Sequence, residues 1–173
     1  MGGGLKRSFP FCQIPLLSRK SVRSTLHQRY WRKTFPYLYK ISVWCGSVQA
    51  PYIEGALEFL KKHYQQIPLF VASGTPEPEL REIIKHRSIP HFFQGVYGSP
   101  ATKTEILQRI LAECQFNPEQ ILMVGDALTD WEGAQGVGAE FIGIQSGKSS
   151  NIFPSTKILL NNFVELDKCV YQN

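Results

Sequence analysis

No aspartate occurs before position 126 of this 173-residue chain, and no acidic residue of any kind before Glu54. The first absence removes every upstream aspartate as a partner for chemistry at Asp126. The second leaves the opening stretch with no counter-charge of its own. Long apolar runs are also lacking: none approaches the roughly 18 residues that suggest a membrane span, so no membrane is expected as a partner. The four cysteines, Cys12, Cys45, Cys114 and Cys169, form no CxxC pair and have no histidine at ligand spacing. That pattern argues against a zinc site and predicts reduced, structural thiols of an intracellular protein.

Of the 19 lysines and arginines, nine lie in the first 40 positions. The other ten face 14 acids, so the net +5 conceals a remainder of −4. The chain therefore reads as an acidic domain, residues 50–173, behind a basic leader, residues 1–49, and its overall basicity does not point to nucleic acid. Three readings of the leader stay open. Its acid-poor, Arg- and Ser-rich composition suits an organellar transit peptide. Its basic and aromatic residues, with Tyr30, Trp31, Tyr37 and Tyr39 available to stack on bases, suit a nucleic-acid arm. An atypical or mistranslated leader without a role accounts for it equally simply. Myristoylation is disfavoured, because Lys6 stands where Ser or Thr is wanted. The expected location is cytoplasmic, or an organelle if the leader is a transit peptide.

From Pro51 onward the periodicity becomes regular. Ala56, Leu57, Leu60 and Tyr64 recur at helical spacing, which predicts a helix over Glu54 to Tyr64. Pro68 to Ala72 is a short apolar run stopped by Ser73-Gly74-Thr75-Pro76, the pattern of a buried strand and a turn. A helix is predicted from Pro76 to His86, with Leu80, Ile83 and Ile84 inward. Thr102 and Glu105 make a capping box ahead of Ile106, Leu107, Ile110, Leu111 and Cys114. Ile121 to Val124 predicts a second strand, followed by a helix through Trp131 and Ala134 that Gly138 ends. Phe141 to Ile144 predicts a third. Strands alternating with helices imply an α/β fold, a Rossmann-like parallel sheet covered on both faces.

The stretch Ile121-Leu122-Met123-Val124-Gly125-Asp126-Ala127-Leu128-Thr129-Asp130 carries the strongest functional signal. An apolar strand ends in a glycine and an aspartate, and a second aspartate follows four residues later. Open α/β sheets bind ligands at that end of their strands. Each candidate also has a purely structural reading. Ser73 alone is an ordinary turn residue. Lys103 alone is a solvated lysine at a helix start. Asp126 suits a helix cap, and Asp130 a first-turn charge favoured by the helix dipole.

Taken in order, Ser73-Gly74-Thr75 after a strand, Lys103 at a helix start and Gly125-Asp126-x-x-x-Asp130 after a strand resemble the haloacid dehalogenase-type (HAD-like) phosphatase superfamily. The stretch Tyr97-Gly98-Ser99-Pro100-Ala101-Thr102-Lys103 is similar to its capped members, the phosphoglycolate phosphatase and β-phosphoglucomutase group. The likeness spans about Pro51 to Ile144. It implies phosphate binding by Ser73, Gly74, Thr75 and Lys103, with Lys103 neutralising charge in catalysis. It implies Mg²⁺ held by Asp126 and Asp130, and a small phosphorylated metabolite as substrate. The chemistry is consistent: Mg²⁺ prefers carboxylate oxygens and keeps several waters, and phosphoryl transfer is catalysed by positioning and charge neutralisation.

The superfamily also places an Asp-x-Asp pair after its first, central strand: a nucleophile that forms an aspartyl-phosphate, and a general acid and base. Neither role can be filled upstream of Asp126, so the chain is expected to be inactive as written. Most of a helical cap is missing as well. Loss of the central strand would expose two edges. The segment Tyr37 to Cys45, of high β propensity, either fills that slot without chemistry or the chain is a truncated product of a frameshift, alternative start or misread gene. The second alternative is favoured, because little in the leader is locally consistent with a packed central strand. The competing function is a non-catalytic phosphate- or partner-binding protein with a basic N-terminal arm. A receiver-like domain fits poorly, since its acceptor aspartate would precede the Ser/Thr strand.

Overall fold

Residues 69–72, Leu-Phe-Val-Ala, are buried on both sides and alternate in direction, and this two-sided burial repeats at residues 122–125 and 141–144. The computed structural model describes residues 39–41, 51–145, 152–154 and 158–171. It contains six parallel strands: β1 (Tyr39–Ile41), β2 (Leu69–Pro76), β3 (Gly95–Ser99), β4 (Leu122–Gly125), β5 (Glu140–Ile144) and β6 (Leu159–Leu160). Their order in the sheet is β3-β2-β1-β4-β5-β6. Five helices accompany them: α1 (Ala56–His63), α2 (Glu77–His86), α3 (Lys103–Cys114), α4 (Leu128–Val137) and α5 (Phe163–Tyr171). Among the described residues, no helix is long and apolar enough to cross a membrane.

Period-two alternation assigns each strand residue to a face. Leu69, Val71, Leu122, Val124, Ile142 and Ile144 join one apolar cluster, under Phe59 and Leu60 of α1, Leu80 and Ile84 of α2, and Phe163 and Leu166 of α5. Phe70, Ala72, Met123 and Phe141 point the other way, toward Ile106, Leu107 and Ile110 of α3 and Ala134 of α4. Both faces are thus covered, as a parallel sheet requires. Each fully buried large side chain contributes about 1.5–3 kcal/mol.

In the sheet, residues 39–41 occupy the central slot. Tyr39 pairs with Leu69 on one side and Leu122 on the other, and Ile41 pairs with Val124. The sheet therefore draws a strand from ahead of residue 50. The rest of the Tyr37–Cys45 segment, and of the basic leader, lies outside the described residues.

Elsewhere the predicted elements appear with modest shifts. Strand β2 does not stop at Ala72. Its register moves from Ala72 opposite Tyr97 to Pro76 opposite Ser99, so four steps along β2 match two along β3. The residues read as a turn are thus a bulge within a longer strand. Helix α3 carries both halves of the capping box: Thr102 Oγ1 accepts from the Glu105 N–H at 3.2 Å, and the Thr102 N–H donates to Glu105 Oε2 at 2.7 Å. Helix α4 ends at Gly138, whose φ of 74° suits a residue without Cβ.

Candidate functional site at the carboxyl ends of β2 and β4

All strands run in one direction, so the ends of β2 and β4 lie on the same edge of the sheet, flanking β1. Ser73, Gly74 and Thr75 come from the first of these ends. Asp126 follows the second, and Asp130 stands on the first turn of α4. The first residue of α3 is Lys103, which returns over the sheet to the same edge.

Lys103 and Asp130 meet directly. Nζ lies 2.6 Å from Asp130 Oδ1 and donates a 2.7 Å hydrogen bond to the carbonyl of Ala72. The ammonium is thereby held between the end of β2 and the start of α4. The lysine side chain is 12% exposed and that of Asp130 1%, so the pair sits where water screens little. Its two contacts differ in kind. The contact to Ala72 is a hydrogen bond, whereas that to Oδ1 is an ion-pair contact without hydrogen-bond geometry. The other oxygen, Oδ2, accepts from the Ala127 N–H at 3.4 Å.

Asp126 is half-buried beside this pair. Burial pushes its carboxyl above the usual aspartate range and the Asp130 charge adds to the rise, while its own backbone N–H and the Lys103 charge oppose it. Its charged form is thus under-compensated, the condition in which a cation is welcome. Asp126 and Asp130 supply hard oxygen donors suited to Mg²⁺. Among the described residues, however, no group of three His, Cys, Asp or Glu is placed to hold a metal. Two carboxylates, one already paired with a lysine, fit only an ion that keeps most of its water shell.

On the β2 side, Ser73 Oγ donates to Thr75 Oγ1 at 3.1 Å and accepts the Thr75 N–H at 3.1 Å. These local bonds hold the bulge and satisfy the structural reading of Ser73. The bulge nevertheless adjoins the lysine, because the carbonyl that Nζ holds belongs to Ala72. A Cβ on Gly74 would meet nothing within 4 Å, so space remains over that backbone. Open clefts of about 490 Å³ beside α1 and α5, and about 460 Å³ beside β3, are lined by none of these site residues.

Three features of the site were not anticipated. One is the Ala72 carbonyl, which has no side-chain signature. Another is the steric role of Gly125, read in the sequence only as part of the acidic motif: a Cβ there would collide with the Asp130 carboxylate, with Asp130 Cβ 2.5 Å away, and the missing side chain lets Asp130 fold back over the strand end. The last is Gly133, which lies against Lys103. Gly133 and Gly136 inside a helix were the available signal, since each costs about 1 kcal/mol relative to Ala and invites a packing reason.

Comparison with known proteins covers most of this framework. A family model described as haloacid dehalogenase-like hydrolase matches residues 20–144, from ahead of β1 to the end of β5. Tyrosine-protein kinase PtkA of Mycobacterium tuberculosis is 28% identical over 109 residues, which are 59% of this chain and 38% of that protein. A predicted phosphoglycolate phosphatase from Haemophilus somnus superposes with a TM-score of 0.64 at 21% identity, covering 72% of this chain and 60% of that one. The HAD-hydrolase YfnB from Bacillus subtilis, bound to magnesium, gives 0.62 at 20% identity, covering 69% and 56%. This chain thus spans less than two thirds of each of these proteins, and at such identities the structural likeness shows the fold alone.

Proposed function

Since the chain belongs to the haloacid dehalogenase-like hydrolase family, we propose that it retains the phosphate-recognising part of a phosphatase site and lacks the part that breaks the bond. The observation that carries this reading is the Lys103 ammonium, fixed by Ala72 and Asp130 at the edge where β2 and β4 end. Beside it the bulge at Ser73-Gly74-Thr75 would exchange its local bonds for phosphate oxygens, its hydroxyls and backbone N–H groups being the donors. The ligand class is a small phosphorylated metabolite.

Asp126, with Asp130 behind it, would hold Mg²⁺ weakly, and a bound ion would neutralise phosphoryl oxygens. The missing step follows from the sequence. Residues 42–53, which follow β1, contain no carboxylate, so this stretch supplies neither an aspartyl nucleophile nor a general acid. Positioning and charge neutralisation remain, and without a nucleophile they bind phosphate rather than transfer it.

Two assays on the whole chain test this. With p-nitrophenyl phosphate and Mg²⁺, the rate should equal that of the buffer blank. With inorganic phosphate, followed by calorimetry, binding should weaken about tenfold in Lys103→Ala, the size of one charge-assisted hydrogen bond. A rate above background that disappears in Asp126→Asn would overturn the inactivity; phosphate binding indifferent to Lys103 would overturn the recognition.

A further inference from the structure

Helix α4 touches Lys103 at both of its ends. Asp130 lies beside Nζ. Three residues on, and therefore on the same helical face, Gly133 lies against the root of the same lysine. A Cβ on Gly133 would sit 2.5 Å from Lys103 Cβ, 3.2 Å from its carbonyl carbon and 3.4 Å from its Cα. These atoms cannot swing aside, because they belong to the backbone and first side-chain carbon of α3. The next glycine differs: a Cβ on Gly136 would meet Thr104 Oγ1 at 2.9 Å and Cγ2 at 3.0 Å, outer atoms that rotation about χ1 can move.

We infer that Gly133 is a positioning residue for Lys103. Its bare backbone lets the first turn of α3 settle directly on α4. That contact fixes where the lysine leaves α3, and from there Nζ spans to Ala72 and Asp130 together. With a methyl group at 133, α3 must shift outward by a fraction of an ångström to an ångström, and Nζ loses at least one of its two partners. The role rests on the proposed function only in what the lysine then does for a phosphate; the placement itself is independent of it.

Site-resolved acetylation of the whole chain, read by mass spectrometry, tests the placement. Lys103 is held by two partners and largely covered, so it should react at least tenfold more slowly than the exposed Lys61. In Gly133→Ala the Lys103 rate should rise at least fivefold relative to Lys61, while Gly136→Ala should leave it unchanged. A folded Gly133→Ala chain with an unchanged Lys103 rate would overturn the inference. Should that variant not fold, Lys103→Gly in an Asp130→Asn background supplies the second measurement, because it removes the Cβ that the new methyl group meets without stranding the Asp130 charge. Adding Gly133→Ala to that background should then leave its cooperative melting transition nearly unchanged, and loss of the transition would count against the assignment. Failure of the unmodified chain to bind inorganic phosphate would defeat the proposed function while leaving the labelling result decisive for Gly133.

Discussion

The ring of His63 on α1 meets the carboxylate of Asp167 on α5 at 2.6 Å from Nε2 to Oδ1, with the imidazole side chain only 1% exposed. Lys62 reaches the second oxygen of Asp167 at 2.7 Å. Burial lowers the His63 pKa below its ordinary 6.5, the Lys62 charge lowering it slightly further, although the Asp167 hydrogen bond and charge work against the fall. Burial alone would raise Asp167, but the hydrogen bonds from Lys62 and His63, and their charges, together hold it below 3.8.

The stability of the chain should therefore decline with acid in two stages. A histidine whose pKa is lower in the folded state binds its proton more readily when unfolded, so stability falls as pH drops below about 6.5. The Asp167 contribution is present above its ordinary 3.8 and is lost as pH falls through its lower folded value. Thermal melts should show Tm decreasing from pH 7 to pH 5, and His63→Phe should flatten that slope. A slope unaltered by the substitution would place the pH dependence elsewhere.

The Lys103–Asp130 pair predicts a larger effect of the opposite design. Removing one member leaves the other charge in a poorly hydrated site, which typically costs about 3 kcal/mol or more. Asp130→Ala and Lys103→Ala should each lower the urea midpoint substantially. The double substitution should cost less than the two singles added, because neither charge is then stranded. Strict additivity in equilibrium unfolding would mean that the 2.6 Å contact contributes nothing.

At the start of α3, Thr102 satisfies one orphan N–H of the helix and Glu105 another. Thr102→Ala should destabilise the chain by about 1 kcal/mol. Thr102→Ser retains the hydroxyl and should restore most of the loss, as read by chemical denaturation.

On the function proposed above, hydrolysis should be installable. Asp126 follows Val124 by two residues, and Val124 is the register partner of Ile41. The same count beyond Ile41 reaches Val43, and a further two reach Cys45. Val43→Asp with Cys45→Asp would recreate the Asp-x-Asp pattern of the family at that offset. Mg²⁺-dependent hydrolysis of p-nitrophenyl phosphate should appear in the double variant and vanish when Asp126→Asn is added. No gain over the unmodified chain would mean that the offset is wrong.

Periodicity made α1 to α4 and the strands β2, β4 and β5 legible because each has enough apolar residues to establish a period. Strand β3 was not foreseen: Gly-Val-Tyr-Gly-Ser is short and glycine-bracketed, and it becomes a strand because β2 offers it an edge. Its Gly98 is fixed by tertiary contact, since a Cβ there would run into the Thr75 carbonyl and the Glu77 backbone. The short β6 likewise exists only through pairing with β5. At the site, the acidic pair and the lysine were readable as residue types in order. The Ala72 carbonyl and the seat at Gly133 were not, because backbone acceptors and missing side chains leave no chemical mark in a sequence.

Strand β1 stands between β3–β2 on one side and β4–β5–β6 on the other, paired to both. The two half-sheets are joined a second time, away from the backbone ladders. Helix α3, which follows β3 in the chain, reaches across to lie on α4, which follows β4. The halves are thus also clasped over the seam, where the bare backbone of Gly133 lies against Lys103. Amide protons of β2 and β4 should therefore exchange with solvent as one cooperative unit, the two halves breathing together.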